Sequence, residues 1–306
     1  MTRGVCAALA VETVMLALLL TIAADQIAHS HVEKLGGVNV WGYRGTVQHQ
    51  KKANEVRIVV TGGDLAFGWG VAASEAMAPS VRELVSRRVD RPGQPDRRVT
   101  GVTAAAQGLA PAAYASWIDR FAYLRPDVIC IVVDPIGHVL VQSAFLPARR
   151  SLAFAMFGYS PILPLVLQEK GTLVHSSLLR LAGNTLAAAD AALGARENRD
   201  AAAIVRSTDY TSSIDAAVRA GLRSSTSGVV VVLSPSSDNR RVKVEMASSF
   251  AAERVRLVDL GDDPRMLAAT LRLDGFNFSA AGHSVAAENV APAVLELIGE
   301  VEQRTQ

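Results

Sequence analysis

Three short runs, residues 56–60, 128–133 and 229–233, consist almost wholly of valine, isoleucine and leucine. A strand with one wet face alternates apolar and polar residues, whereas unbroken runs need cover on both faces. That requirement points to a parallel sheet sandwiched between helices. Weaker strands are predicted at 98–103 and 254–258. Between the strands, apolar residues recur at spacings of three and four, as at Val81, Leu84 and Val85, or Trp117, Phe121 and Leu124. The pattern predicts helices over 79–88, 112–124, 214–222 and 279–298. Alternating strand and helix is the signature of an α/β fold, a three-layer, doubly wound parallel sheet of the flavodoxin-like kind. In such sheets ligands bind beyond the carboxyl ends of the strands. The residues of interest therefore follow Val60, Thr103, Val133 and Leu233, together with the loop before the last helix.

The chain has 306 residues, half of them apolar, which is enough for one large core without disulfides. Cys6 lies in the first apolar segment and Cys130 in a predicted central strand, so neither a disulfide framework nor a cysteine-based metal site is expected. Formal charge is +2, with bases scattered among acids, so no nucleic-acid partner is expected. The pairs Arg87-Arg88, Arg97-Arg98 and Arg240-Arg241 read as solvated loop ends.

The first 24 residues contain an apolar run long enough to cross a bilayer, preceded by Arg3 and interrupted by Glu12. A positive charge before the span favours a cytoplasmic amino terminus and an extracytoplasmic body, and the length of the run favours an uncleaved membrane anchor. A signal peptide and secretion are the alternative, since Thr21-Ile22-Ala23 resembles a cleavage site, but the run exceeds a usual signal core. Residues 25–55 read as a stem and 56–300 as the body, with a helical insertion at 140–203. The insertion's apolar stretch, 151–167, fits a lid or docking helix pair over the site, extra helical packing, or a segment lying on the membrane near the anchor.

The segments RIVVTGGDLAFGWGV (57–71), LRPDVICIVVDPIGH (124–138) and DGFNFSAAGH (274–283) together resemble the ordered blocks of the SGNH, or GDSL-type, hydrolases. The resemblance covers nearly all of the body and implies an SGNH-hydrolase-like fold. It also implies an ester or acyl hydrolase plan: a serine nucleophile, a histidine base oriented by an aspartate, and glycine and asparagine amides around the oxyanion. This chain departs from that plan. Asp64, following Gly63, occupies the serine position and Asn277 the histidine position, while the orienting carboxylate remains as Asp274. Gly137 stands at the asparagine position, with His138 after it; a shift of one would put Ile136 there. In the second block, GVTAAAQG (101–108), Ala104 takes the place of the oxyanion glycine, with Gly108 the lesser match.

These substitutions remove the usual machinery, because a side-chain amide accepts no proton at neutral pH. Three other readings of Asp64 stand beside its being a relic of lost chemistry. It could act as a carboxylate nucleophile with His138 as base, ligate a divalent metal with His138 and Asp274, or simply cap the helix that follows. His283 reads as packing in the last helix, Ser279 as that helix's N-cap, and Trp69 as packing. His29, His31, His49 and His175 form no ligand set, and Ser234, Ser236 and Ser237 offer hydroxyls without a base. No cofactor or resident metal is expected. The leading expectation is a membrane-anchored pseudoenzyme that binds or assembles with an envelope glycan, a lipid or a membrane protein. The alternative is an active ester hydrolase or acyltransferase on envelope glycans or lipids, using a rearranged site.

Overall fold

The computed structural model of the chain describes residues 3–34, 38–89, 97–133, 162–163, 166–167, 181, 210–235, 254–274 and 276–305. The chain divides into two compact units, Met1–Gly42 with Pro147–Ala195, and Tyr43–Leu146 with Arg196–Gln306. Its described helices are α1 (Arg3–Lys34), α2 (Asp64–Phe67), α3 (Met77–Val89), α4 (Tyr114–Arg120), α5 (Tyr210–Ser224) and α6 (Ala280–Thr305). The strands are β1 (Glu55–Gly62), β2 (Arg98–Thr103), β3 (Val128–Val133), β4 (Gly228–Leu233) and β5 (Val255–Asp259).

In the second unit the strands form one parallel sheet in the order β2-β1-β3-β4-β5. This is the doubly wound arrangement expected from the sequence. The order reverses at β1, so the right-handed crossover rule puts α3 on one face and α4 and α5 on the other. Packing agrees, with α3 against α6 and α4 against α5. The unbroken runs became β1, β3 and β4, buried at every position, whereas the weaker segments became the edge strands β2 and β5. Edge strands need fewer apolar residues because one side lacks a neighbouring strand.

The predicted helix over 112–124 is instead two 3₁₀ turns, Pro111–Ala113 and Ala122–Leu124, flanking the shorter α4. Pro126 disfavours α geometry at Arg125, which adopts a left-handed φ of 50° and turns the chain toward β3. The apolar face survives the break: Trp117, Phe121 and Leu124 are all buried, with the first two rings 5.2 Å apart.

The amino ends of the strands are fastened by buried charge. Arg57, in the middle strand of the first three, donates through Nε to Glu55 Oε1 at 2.8 Å, through Nη1 to Leu124 O at 2.9 Å and through Nη2 to His49 O at 3.0 Å. Thr100 Oγ1 donates to the same Glu55 oxygen at 2.6 Å. Burial opposes ionisation of Glu55, but bonds from Thr100, Arg57 and the Lys52 amide hold its carboxyl below the usual range. Asp127 ties β1 to β3 and β4, accepting from Arg57 N at 2.7 Å, Lys51 Nζ at 2.6 Å and Thr226 Oγ1 at 2.6 Å.

In the first unit, α1 continues through Lys34, well past the apolar run, and its residues Val5–Ser30 are long and apolar enough to span a bilayer. Most of the 140–203 insertion shares this unit with α1. Tyr43 and Arg44, inside the stretch read as a stem, are buried in the second unit.

Replacing Arg57 with alanine would leave the Glu55 carboxylate buried without its cation. A loss of about 3–5 kcal/mol is expected, to be read from denaturant unfolding of the detergent-solubilised protein, with Glu55→Gln costing less.

Candidate functional site

β1 ends at Gly62, whose φ of 145° suits glycine alone. A Cβ there would lie 2.4 Å from Val132 O and 2.9 Å from Ala66 Cβ, so only glycine lets the turn press against β3. Gly63 is the N-cap of α2 and makes no side-chain cap bond, and Asp64 is the first helical residue. Asp64 is therefore in the first turn of α2 rather than at its N-cap. Its Oδ1 accepts the Gly108 amide N–H at 2.8 Å. Gly108 supplies that donor because its left-handed φ of 66° turns the second-block loop toward the end of β1. Ala106 N also donates to Gly62 O, at 3.2 Å.

Ala104 is buried, and its carbonyl accepts Trp117 Nε1–H at 2.9 Å, which anchors the second-block loop to α4. Beside it a cavity of ≈ 10 Å³, lined in part by Thr61, Ala104 and Trp117, has room for one water at most.

The terminal block forms a tight clasp. Asp274 Oδ1 accepts from Phe276 N at 3.0 Å and Asn277 N at 2.7 Å, and Oδ2 accepts from Asn277 Nδ2 at 2.8 Å. The Asn277 side-chain bond, then its backbone bond, keeps the Asp274 carboxyl below its usual range. Asn277 is 7% exposed, and its Oδ1 is buried without a partner among the described residues. Ser279 caps α6 as expected, its Oγ accepting Gly282 N–H at 3.2 Å.

Two buried side chains that the sequence did not single out as a pair organise the loop after α2. Arg44 N donates to Thr103 O at 2.9 Å, so the residue is pinned to the end of β2. Its guanidinium donates to Phe67 O at 2.5 Å, to Gly68 O at 2.6 Å and to Val71 O, and lies 4.7 Å from the Phe67 ring centroid. Burial pushes its pKa down to about 10, which leaves it charged at neutral pH. His283 is fully buried and meets Phe278 edge-on at 5.5 Å. A Cβ on Gly68, whose φ is 77°, would fall 2.9 Å from Arg44 Nη1 and 3.3 Å from His283 Nε2. Arg44, the α2 loop and the last helix therefore meet at one glycine. The sequence carried only a faint sign of Arg44, in the glycines at 42 and 45 that flank the Tyr43-Arg44 pair.

The structure thus brings Gly63, Asp64 and the second-block loop together at the carboxyl end of β1. The terminal block packs on the loop after α2, since a Cβ on Gly68 would lie 3.3 Å from His283 Nε2. Gly137 and His138 lie outside the described residues, as do Ser236 and Ser237. Among the described residues no three His, Cys, Asp or Glu side chains converge as a metal site would require. Trp69, read as packing, is 41% exposed at the rim of this loop.

No family profile matches the chain, and no curated protein matches it. Solved structures similar to it include a G-D-S-L family protein from Desulfitobacterium hafniense (12% identity, TM-score 0.37, covering 78% of this chain and 99% of that one). A family 3 carbohydrate esterase from Talaromyces cellulolyticus matches at 12% identity and a TM-score of 0.41, covering 80% and 99%. TesA matches at 15% identity and a TM-score of 0.39, covering 79% and 99%. The order β2-β1-β3-β4-β5 is a doubly wound, flavodoxin-like sheet, with the first block at the carboxyl end of β1 and the terminal block leading into α6.

Burial, and then the Arg44 charge, lowers the His283 pKa from 6.5 to about 4. The folded state thus takes up a proton less readily than the unfolded chain. The stability from the neutral ring is full above pH 6.5 and is lost as pH falls toward 4. Unfolding free energies measured from pH 7 to pH 4 should fall less steeply in His283→Leu than in the native protein, whatever the change in absolute stability. Equal slopes would show that the ring is not held neutral.

Proposed function

We propose that this chain is a membrane-anchored, extracytoplasmic domain that has kept a hydrolase frame, lost its ester-cleaving chemistry, and works by binding. The observation that carries the reading is the Asp274–Asn277 clasp. The carboxylate that the resemblance assigns to orienting an imidazole instead holds an amide through Nδ2 at 2.8 Å. That amide has no basic lone pair to take a proton from a nucleophile. Losing a triad member alone costs orders of magnitude in rate.

Asp64 supports the same reading. A carboxylate at the serine position repels an incoming oxyanion, and its Oδ1 already takes the Gly108 N–H that could otherwise face a ligand. The extracytoplasmic placement draws on Arg3 ahead of the apolar span. The ligand or partner in this reading is an envelope glycan, a lipid or another membrane protein.

The test is hydrolysis of short-chain nitrophenyl esters by the purified protein, beside Asp64→Ala and the double variant Asp64→Ser with Asn277→His. The native protein is expected to match the protein-free rate and Asp64→Ala to change nothing. Robust native turnover that Asp64→Ala abolishes would overturn the proposal in favour of an active hydrolase or acyltransferase. Protease added to cells stripped of layers outside the cytoplasmic membrane should digest the body; protection there would put it on the cytoplasmic side.

A further inference from the structure

Along α1 every side chain from Val5 to Ala24 is exposed, but Asp25 is only 3% exposed and His29 1%. Asp25 Oδ1 accepts two amide N–H groups from the insertion, Ile162 at 2.9 Å and Leu163 at 2.7 Å. His29 Nε2 lies 3.5 Å from Asp25 Oδ2, and its Nδ1 faces Val38 O at 3.2 Å. The clasped segment makes a helical turn, since Val166 N donates to Ile162 O at 3.0 Å. Its described side chains are all apolar: Ile162 is buried, while Leu163, Val166 and Leu167 remain partly exposed.

The length of α1 sets where this turn can lie. Asp25 stands 20 residues after Val5, where the apolar span begins. At the helix rise that is about 30 Å, the thickness of a bilayer's hydrocarbon core. With Arg3 at one interface, Asp25 falls at the other. A carboxylate buried at that depth is costly unless hydrogen-bonded, and two backbone amides meet the requirement. The partly exposed Leu163, Val166 and Leu167 are then at the level of the lipid headgroups and upper acyl chains, where apolar side chains are favoured.

We infer that the turn bearing Ile162, Leu163, Val166 and Leu167 is a second membrane contact, clasped to the anchor by Asp25 and seated among lipids at the far interface. The inference rests on reading α1 as a membrane anchor. It makes the insertion part of the protein's hold on the bilayer.

The test uses the full chain in phosphatidylcholine vesicles, with Cys6→Ser as background and single cysteines labelled with an environment-sensitive fluorophore. Cys130 does not compete, because burial pushes its thiol up to about 12. Leu16→Cys reports the anchor and Leu167→Cys the proposed contact. Lipids with a nitroxide near the headgroup should quench the label at 167, and lipids with one deep in the acyl chain should quench the label at 16. Asp25→Ala should release the quenching at 167, whereas Asp25→Asn, which keeps an oxygen acceptor, should retain it. An anchor label that is quenched beside a 167 label that emits as in water would overturn the inference while leaving the anchor standing. An unquenched label at 16 would overturn the anchor reading and the inference with it. Quenching at 167 that survives Asp25→Ala would refute the clasp.

Discussion

Everything in the second unit hangs on β1, which pairs with β2 on one side and β3 on the other and is buried along its whole length. A strand in that position has its backbone polar groups met only by its neighbours, so its register fixes theirs. One end is held by the Glu55–Arg57–Thr100 cluster, where a buried cation is tolerable because every arm finds an acceptor. The other end runs into Gly62, where the lack of a side chain brings the turn against the β3 backbone. The candidate site is where these two fixed ends lead: a rigid strand delivering Gly63 and Asp64 to the carboxyl edge of the sheet.

The sheet was legible because burial on both faces leaves a plain mark in composition. The runs at 56–60, 128–133 and 229–233 could not have been half-wet strands, and the order of elements did the rest. Arg57 did not spoil the first run, although its partners, Glu55 and the carbonyls of His49 and Leu124, could not be read from spacing. The helix expected over 112–124 broke up because local proline chemistry outweighed a good apolar period. Similarly, α1 outran its apolar stretch because Asp25 and His29, one turn apart, gain partners that hydropathy does not register.

The site was legible in position more than in arrangement. Motif spacing pointed to Asp64, Asp274 and Asn277, but not to the Asp274–Asn277 bonds or the Asp64 contact with Gly108. His283 was read as packing in the last helix and is buried there, but its meeting with Arg44 across the chain, at Gly68, escaped. A lone arginine in a short turn has no periodicity, and a histidine on the inner face of a helix looks like any other core residue. The Arg44 guanidinium gathering three carbonyls is a means of holding an irregular loop still where regular secondary structure gives out.

That meeting point also bears on how the protein is made. Arg44 lies near the start of the second unit and His283 in α6, more than two hundred residues later, so the loop after Asp64 has its full surroundings only once His283 has left the ribosome. Contacts so far apart in sequence are slow to close. The sheet's first three strands are synthesised well before then, and during that interval the loop that crowns them waits for a wall that has not yet been translated.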